Sequence, residues 1–170
     1  MPTEAECGDQ RDPLTGTATP QAMRRFIEAA LDLSDSGGPG VVVFAIGLDG
    51  LDRLAATGSQ GQADAVLLGV GDRLRTGLRT HDLVGRLPQG FVICLAEAFS
   101  GEARRAAQRL QRVVDSAPVP TGAGPVAIGC SVGLAFGRGP GSSAADLLDR
   151  ACAALALAQA EGGGRIVCGT

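Results

Sequence analysis

Apolar and polar positions along this chain repeat with two periods, and the switches between them mark out its elements. Thr19-Pro20 opens the first: threonine suits a helix N-cap and proline suits the first helical position. Met23, Ile27, Ala30 and Leu31 follow at helical spacing, and Ser34 to Gly40 ends that run. Val41 to Ile46 is continuously apolar and β-branched at its start, which predicts a buried strand. Leu51 and Leu54 predict a short helix, broken by Gly58 to Gly61. Ala63, Leu67, Val70, Leu74 and Leu78 form one stripe of a longer helix.

Leu83-Val84 and Phe91 to Leu95 are two short β-rich runs around Leu87-Pro88-Gln89-Gly90, which predicts a hairpin. Its tip carries no acid, base or nucleophile. Ala103, Ala106, Leu110, Val113 and Val114 predict a helix ending near Pro118. Pro125 to Phe136 alternates enough to predict one long strand, and 137–141 a glycine-rich surface loop. Ser143 with Asp146 resembles a capping box, ahead of Leu147, Leu148, Ala151, Leu155 and Ala158 at helical spacing. Gly162 to Gly164 stops that helix, and Arg165 to Cys168 is a last strand. The order α-β-α-α-β-β-α-β-α-β predicts a single α/β domain. Its central, mostly antiparallel sheet is flanked by helices, a ferredoxin-like or palm-type core. Residues 1–11 read as a flexible polar tail, and 12–170 as the domain.

Composition narrows the picture. The chain has 170 residues, enough for one domain with a core, and is 45% hydrophobic. No apolar run approaches the ~20 residues of a membrane span, and the acidic N-terminus is not a signal peptide. A soluble, cytoplasmic protein is expected, with no membrane partner. The net charge of −3 argues against nucleic acid as a partner. Every basic residue is arginine. Cys7, Cys94, Cys130, Cys152 and Cys168 are odd in number and form no CxxC pair, which supports neither a zinc site nor a disulfide framework. Cys94, Cys130 and Cys168 fall in apolar strand runs and are expected to be buried thiols.

From about residue 12 to 168 the chain resembles GGDEF domains, the diguanylate cyclase family. Asp12-Pro13-Leu14-Thr15-Gly16 matches the family's opening D-x-L-T-G. "IGLDGLDRLAATGSQGQADAVLL" aligns without a gap on D-x-D-x-F-K-x-I-N-D-x-x-G-H-x-x-G-D-x-x-L. Arg86 matches the arginine before the signature. "CSVGLA" matches S-x-G-x-A, and "RACAALALAQAEGGGR" matches A-D-x-A-L-Y-x-A-K-x-x-G-x-N-R. The resemblance implies the GGDEF fold and an ancestry among enzymes that join two GTP molecules into cyclic di-GMP.

It also implies that the catalytic parts are gone. The hairpin tip stands where the family carries G-G-D-E-F, and here it reads Pro88-Gln89-Gly90-Phe91, one residue short and without acids. The first metal aspartate falls on Gly47, and Asp49 matches only the second. The guanine-reading asparagine falls on Ala55, and the two phosphate lysines on Asp52 and Gln159. Asp64 stays where a guanine-contacting aspartate sits, and alone reads as a residue that caps or orients its helix. Phosphoryl transfer relies on metal ions to neutralise developing charge. No enzyme activity, no metal and no cofactor are therefore expected.

What the resemblance leaves is the family's inhibitory R-x-x-D. Arg79-Thr80-His81-Asp82 lies five residues before the tip, and counting through the deletion puts a second arginine at Arg109. Arg79, Asp82 and Arg109 are the candidate cyclic di-GMP ligands. Arg73, Arg75, Arg104, Arg105 and Arg112 lie nearby in sequence. The bland alternative is an ordinary i,i+3 ion pair at a helix end. His81 reads as an exposed loop residue, and Arg24-Arg25 and Arg104-Arg105 as solvated helix faces. Two functions follow: a non-catalytic cyclic di-GMP receptor or signalling adaptor, or a nucleotide-independent interaction module on the same fold. Either needs a protein partner or a homodimer.

Overall fold

The structure is a computed structural model and describes residues 10–34, 38–58, 60–79 and 81–169. Thr19 caps the first helix, α1 (Pro20–Asp32), accepting from the Ala22 N–H. The chain continues through β1 (Gly40–Asp49), α2 (Leu51–Thr57), α3 (Gln60–Thr76), β2 (Asp82–Leu87) and β3 (Gly90–Ala98). A 3-10 turn (Ser100–Glu102) leads into α4 (Ala103–Asp115), then β4 (Gly129–Gly137), α5 (Ala144–Ala160) and β5 (Ile166–Cys168). This is the order the hydrophobic pattern predicts, with the 3-10 turn added.

The sheet runs β2-β3-β1-β4-β5, antiparallel throughout except for the β4–β5 pair. Central β1 is buried along nearly its whole length because both faces are covered. Val42, Phe44, Ile46 and Leu48 face α3 and α4 with Val66, Val70, Leu74, Ala107 and Leu110. Val41, Val43 and Ala45 face α1 and α5 with Met23, Ile27, Leu147 and Leu155. The two-residue period of the strand therefore sorts one apolar run into two separate cores.

Three expectations need correction. The long strand begins at Gly129, not Pro125. Val126 instead pairs with Val119 across a turn at 121–124, in two mutual backbone bonds. The expected tail is tied down at its end: Thr19 N–H donates to the Gln10 carbonyl, and Arg11 bridges to Ala18. Residues 1–9 lie outside the described residues, and Cys7 with them. Cys168 is exposed, while Cys94 and Cys130 are buried. Its strand pairs on one side only and is half-covered at best.

Candidate functional site

The hairpin tip is a two-residue turn, Pro88-Gln89, between Leu87 and Gly90, which are paired. The Arg86 guanidinium donates to the Leu87 carbonyl and, at 3.0 Å, to that of Gly90, and it lies 5.9 Å from the Phe91 ring centroid. Arg86 thus holds the tip shut through its carbonyls. Leu48 N–H donates to the Gln89 carbonyl, so the tip also rests on β1.

Gly47 lies on β1 opposite Gly90 and Ser131. A β-carbon there would sit 2.5 Å from Gln159 Nε2 and 3.2 Å from Leu155 Cδ1. The amide of Gln159 therefore occupies the space over the position that the resemblance gives to a metal aspartate. Asp49 is engaged in the fold: Oδ1 accepts from the Ser131 hydroxyl at 2.8 Å, and Oδ2 from the Gly164 N–H at 3.0 Å. Gly162, Gly163 and Gly164 all have positive φ, which lets the chain double back so that this N–H reaches Asp49. Ala55 packs against the core from α2, and Asp52 is exposed in that helix's first turn.

The R-x-x-D segment links α3 to β2. Arg79 N–H donates to Asp82 Oδ2 at 3.2 Å, and Asp82 N–H donates back to the Arg79 carbonyl at 3.1 Å. Asp82 so fixes the Arg79 backbone and leaves the guanidinium exposed. Among the described residues, no carboxylate lies within ion-pair distance of Arg79 or Arg109. Thr80 lies outside the described residues.

Arg79, Asp82 and Arg109 line one pocket of about 330 Å³. Arg105 and Arg109 stand one turn apart on α4, so they share the face that looks into it. Half-burial pushes the Asp82 carboxyl above its ordinary range. The Arg79 N–H, the Arg79 and Arg109 charges and the Ala96 N–H pull it back down. The shared lining places all three groups around one pocket.

The opposite wall is a β-bulge. Gly40 pairs with Ala98 and Val42 with Leu95, so β3 carries an extra residue there, and Glu97 takes φ 54. The bulge, with Phe99 just beyond it, forms the rim. Phe99 is 53% exposed, whereas Phe44 and Phe91 are fully buried. Periodicity alone missed this residue. The available signal was an aromatic just past a strand end, in a chain with five Phe and no Trp or Tyr. His81 is exposed, as expected, but lines the pocket. Arg105, expected on a solvated face, lines it too. Arg73 does not contribute: it donates to the Val114 and Pro118 carbonyls and ties α3 to the end of α4. Arg75 is ion-paired with Asp72.

The family described as diguanylate cyclase, GGDEF domain, matches residues 9–165. The chain belongs to the GGDEF family. A curated relative from Caulobacter vibrioides, an uncharacterized signaling protein, is 26% identical over 157 residues. Those residues are 91% of this chain and 19% of that protein, so the chain spans about a fifth of the relative's length. The GGDEF domain of PA1120 (TpbB or YfiN) from Pseudomonas aeruginosa is 26% identical, covers 94% of each chain and superposes with a TM-score of 0.80. The GGDEF domain of DgcB from Caulobacter crescentus, solved in complex with c-di-GMP, is 20% identical, covers 94% of this chain and 95% of that one, and gives 0.84. The diguanylate cyclase SiaD from Pseudomonas aeruginosa, solved with its activator SiaC, is 24% identical, covers 96% of this chain and 64% of that one, and gives 0.85. These likenesses agree with the GGDEF sheet and helix layers described above. Among the described residues, no helix is long and apolar enough to cross a membrane.

Proposed function

We propose that this GGDEF domain binds cyclic di-GMP without making it, as a receptor or signalling adaptor that reports to a protein partner or a second copy. The observation that carries the reading is the convergence of Arg79, Asp82 and Arg109, some thirty residues apart at their extremes, on one pocket. The chemistry suits a guanine nucleotide. A guanidinium fork meets guanine O6 and N7. A second arginine meets a phosphate through charge-assisted bonds. A carboxylate accepts from the N1–H and N2–H edge. Phe99 adds a flat apolar surface on which a base can stack, a contact worth ~1–3 kcal/mol where it forms. The pocket suits one base and its phosphate, and the rest of a dinucleotide would lie across the rim.

The groove beside the tip supports the other half of the reading. Gly47 offers no oxygen, Gln159 fills the space above it, and both Asp49 oxygens already accept hydrogen bonds. These residues do not fit the metal ion that the family's chemistry requires.

Calorimetric titration with cyclic di-GMP tests the reading. Saturable binding is expected. Arg79→Ala should weaken it by ~1–3 kcal/mol, about ten- to a hundredfold. In parallel, GTP with magnesium or manganese should yield no cyclic di-GMP above a control without protein. A flat titration of folded protein would discard the receptor role and leave the nucleotide-independent interaction module. Product formation from GTP would overturn catalytic silence.

A further inference from the structure

A second cavity lies on the other side of the Arg79–Asp82 turn. It is a cleft of about 930 Å³ between residues 10–18, α1, the end of α3 and β2. Arg11, Arg25, Arg75 and Arg79 line it, and among the described residues Asp82 is the one carboxylate in its wall. That is a strong local excess of positive charge in a chain of net charge −3.

The nearby acids do not offset it evenly. Asp72 pairs with Arg75. Asp12 is taken up by its own turn, accepting from the Thr15 N–H at 2.8 Å and the Thr15 hydroxyl at 2.7 Å. Among the described residues, Arg11, Arg25 and Arg79 are without an ion pair. The cleft is also preformed. Its outer wall is anchored at Gln10 by Thr19, and at Ala18 by backbone bonds to Val84 and Arg86. Half-buried Phe26, with Leu78 and Leu83, gives the floor an apolar and aromatic part.

We propose that this cleft binds a nucleoside diphosphate or a close analogue, with terminal phosphates on Arg11, Arg25 and Arg79 and the base against Phe26. Three unpaired guanidiniums match a terminal pyrophosphate, which carries several charges close together, better than phosphodiesters that carry one each. The volume and the aromatic wall match a whole nucleotide better than a bare phosphate. The cleft shares Arg79 and Asp82 with the Arg109 pocket, but Arg11, Arg25 and Phe26 line the cleft alone.

The test uses the full chain and calorimetry with GDP, ADP and inorganic pyrophosphate, with cyclic di-GMP as a separate arm. At least one diphosphate should bind saturably and more tightly than pyrophosphate. Arg25→Ala and Arg11→Ala should each weaken it about tenfold, as expected for losing a charge-assisted bond. Both side chains are exposed, so these variants should fold, and circular dichroism checks that. Arg109→Ala should leave diphosphate binding unchanged. Four outcomes would overturn the assignment: no binding in the millimolar range, pyrophosphate binding as tightly as the nucleotide, equal affinity in Arg25→Ala, or loss in Arg109→Ala with retention in Arg25→Ala. Cyclic di-GMP binding that vanishes in Arg25→Ala and persists in Arg109→Ala would also overturn it, by placing the dinucleotide in this cleft.

Discussion

Asp82 is held in a setting that favours its uncharged form, although the charges of Arg79 and Arg109 pull the other way. Its carboxyl titrates above the ordinary 3.8 in the folded chain because burial outweighs the attractive groups. Between those two values the folded state holds the proton more tightly than the unfolded one, so stability falls as pH rises through that window. Above it the cost persists. Asp82→Asn removes the charge and keeps an oxygen for the Arg79 N–H. Its melting temperature at pH 7 should equal or exceed the parent's, the gap should shrink in acid, and cyclic di-GMP affinity should drop. A lower melting temperature at pH 7 would mean that the two arginine charges outweigh burial after all. The thiols make a second contrast. Burial pushes Cys94 and Cys130 up to about 12, while Cys168 is exposed. At pH 8 a disulfide reagent should label Cys168 quickly in native protein and Cys94 and Cys130 only on unfolding. Cys168→Ser should remove that fast label. At this scale the sequence is readable where spacing is local. Arg79 and Asp82 share one turn, whereas Phe99 and Arg105 join them only through a bulge and a helix face that periodicity does not reveal.

Among the elements, α5 packs closely on β4. A β-carbon at Gly133 would collide with the Ala151 carbonyl and the Leu155 nitrogen, so this glycine sets how closely the helix can approach. Gly133→Ala should destabilise by ~1–3 kcal/mol or more, read by denaturant unfolding. Gly47→Asp meets mainly the flexible amide end of Gln159 and the Leu155 methyl. The fold should survive it, and the variant should still make no cyclic di-GMP, because Ala55, Asp52 and the acid-free tip remain. Measurable product from Gly47→Asp would reduce the defect to a single missing oxygen. Most elements were legible because their apolar runs are long and bounded by Gly, Pro or capping residues. The exception, residues 125–128, alternates like a strand, but Val126 finds its partner in Val119, across a local turn. Periodicity records which side chains are covered and says nothing about which backbone they pair with.

Across the whole molecule, the two sides of the sheet's first hairpin differ in chemical character. The Gly47 side is plugged by Gln159, and the Arg79 side opens into cavities lined by arginine. Six of the chain's arginines, Arg11, Arg25, Arg75, Arg79, Arg105 and Arg109, line those two cavities. The anchor at Ala18 has a consequence beyond walling a cleft. β2 is an outer strand, and two of its outward backbone groups are met by Ala18, which accepts from Arg86 N–H and donates to the Val84 carbonyl. The far side ends in β5, only three residues long. One border of the sheet is stapled and the other is too short to recruit a foreign strand, which is how sheets avoid growing into aggregates. A chain beginning at Thr19 would expose the β2 border, and light scattering should then show concentration-dependent self-association that the intact chain lacks.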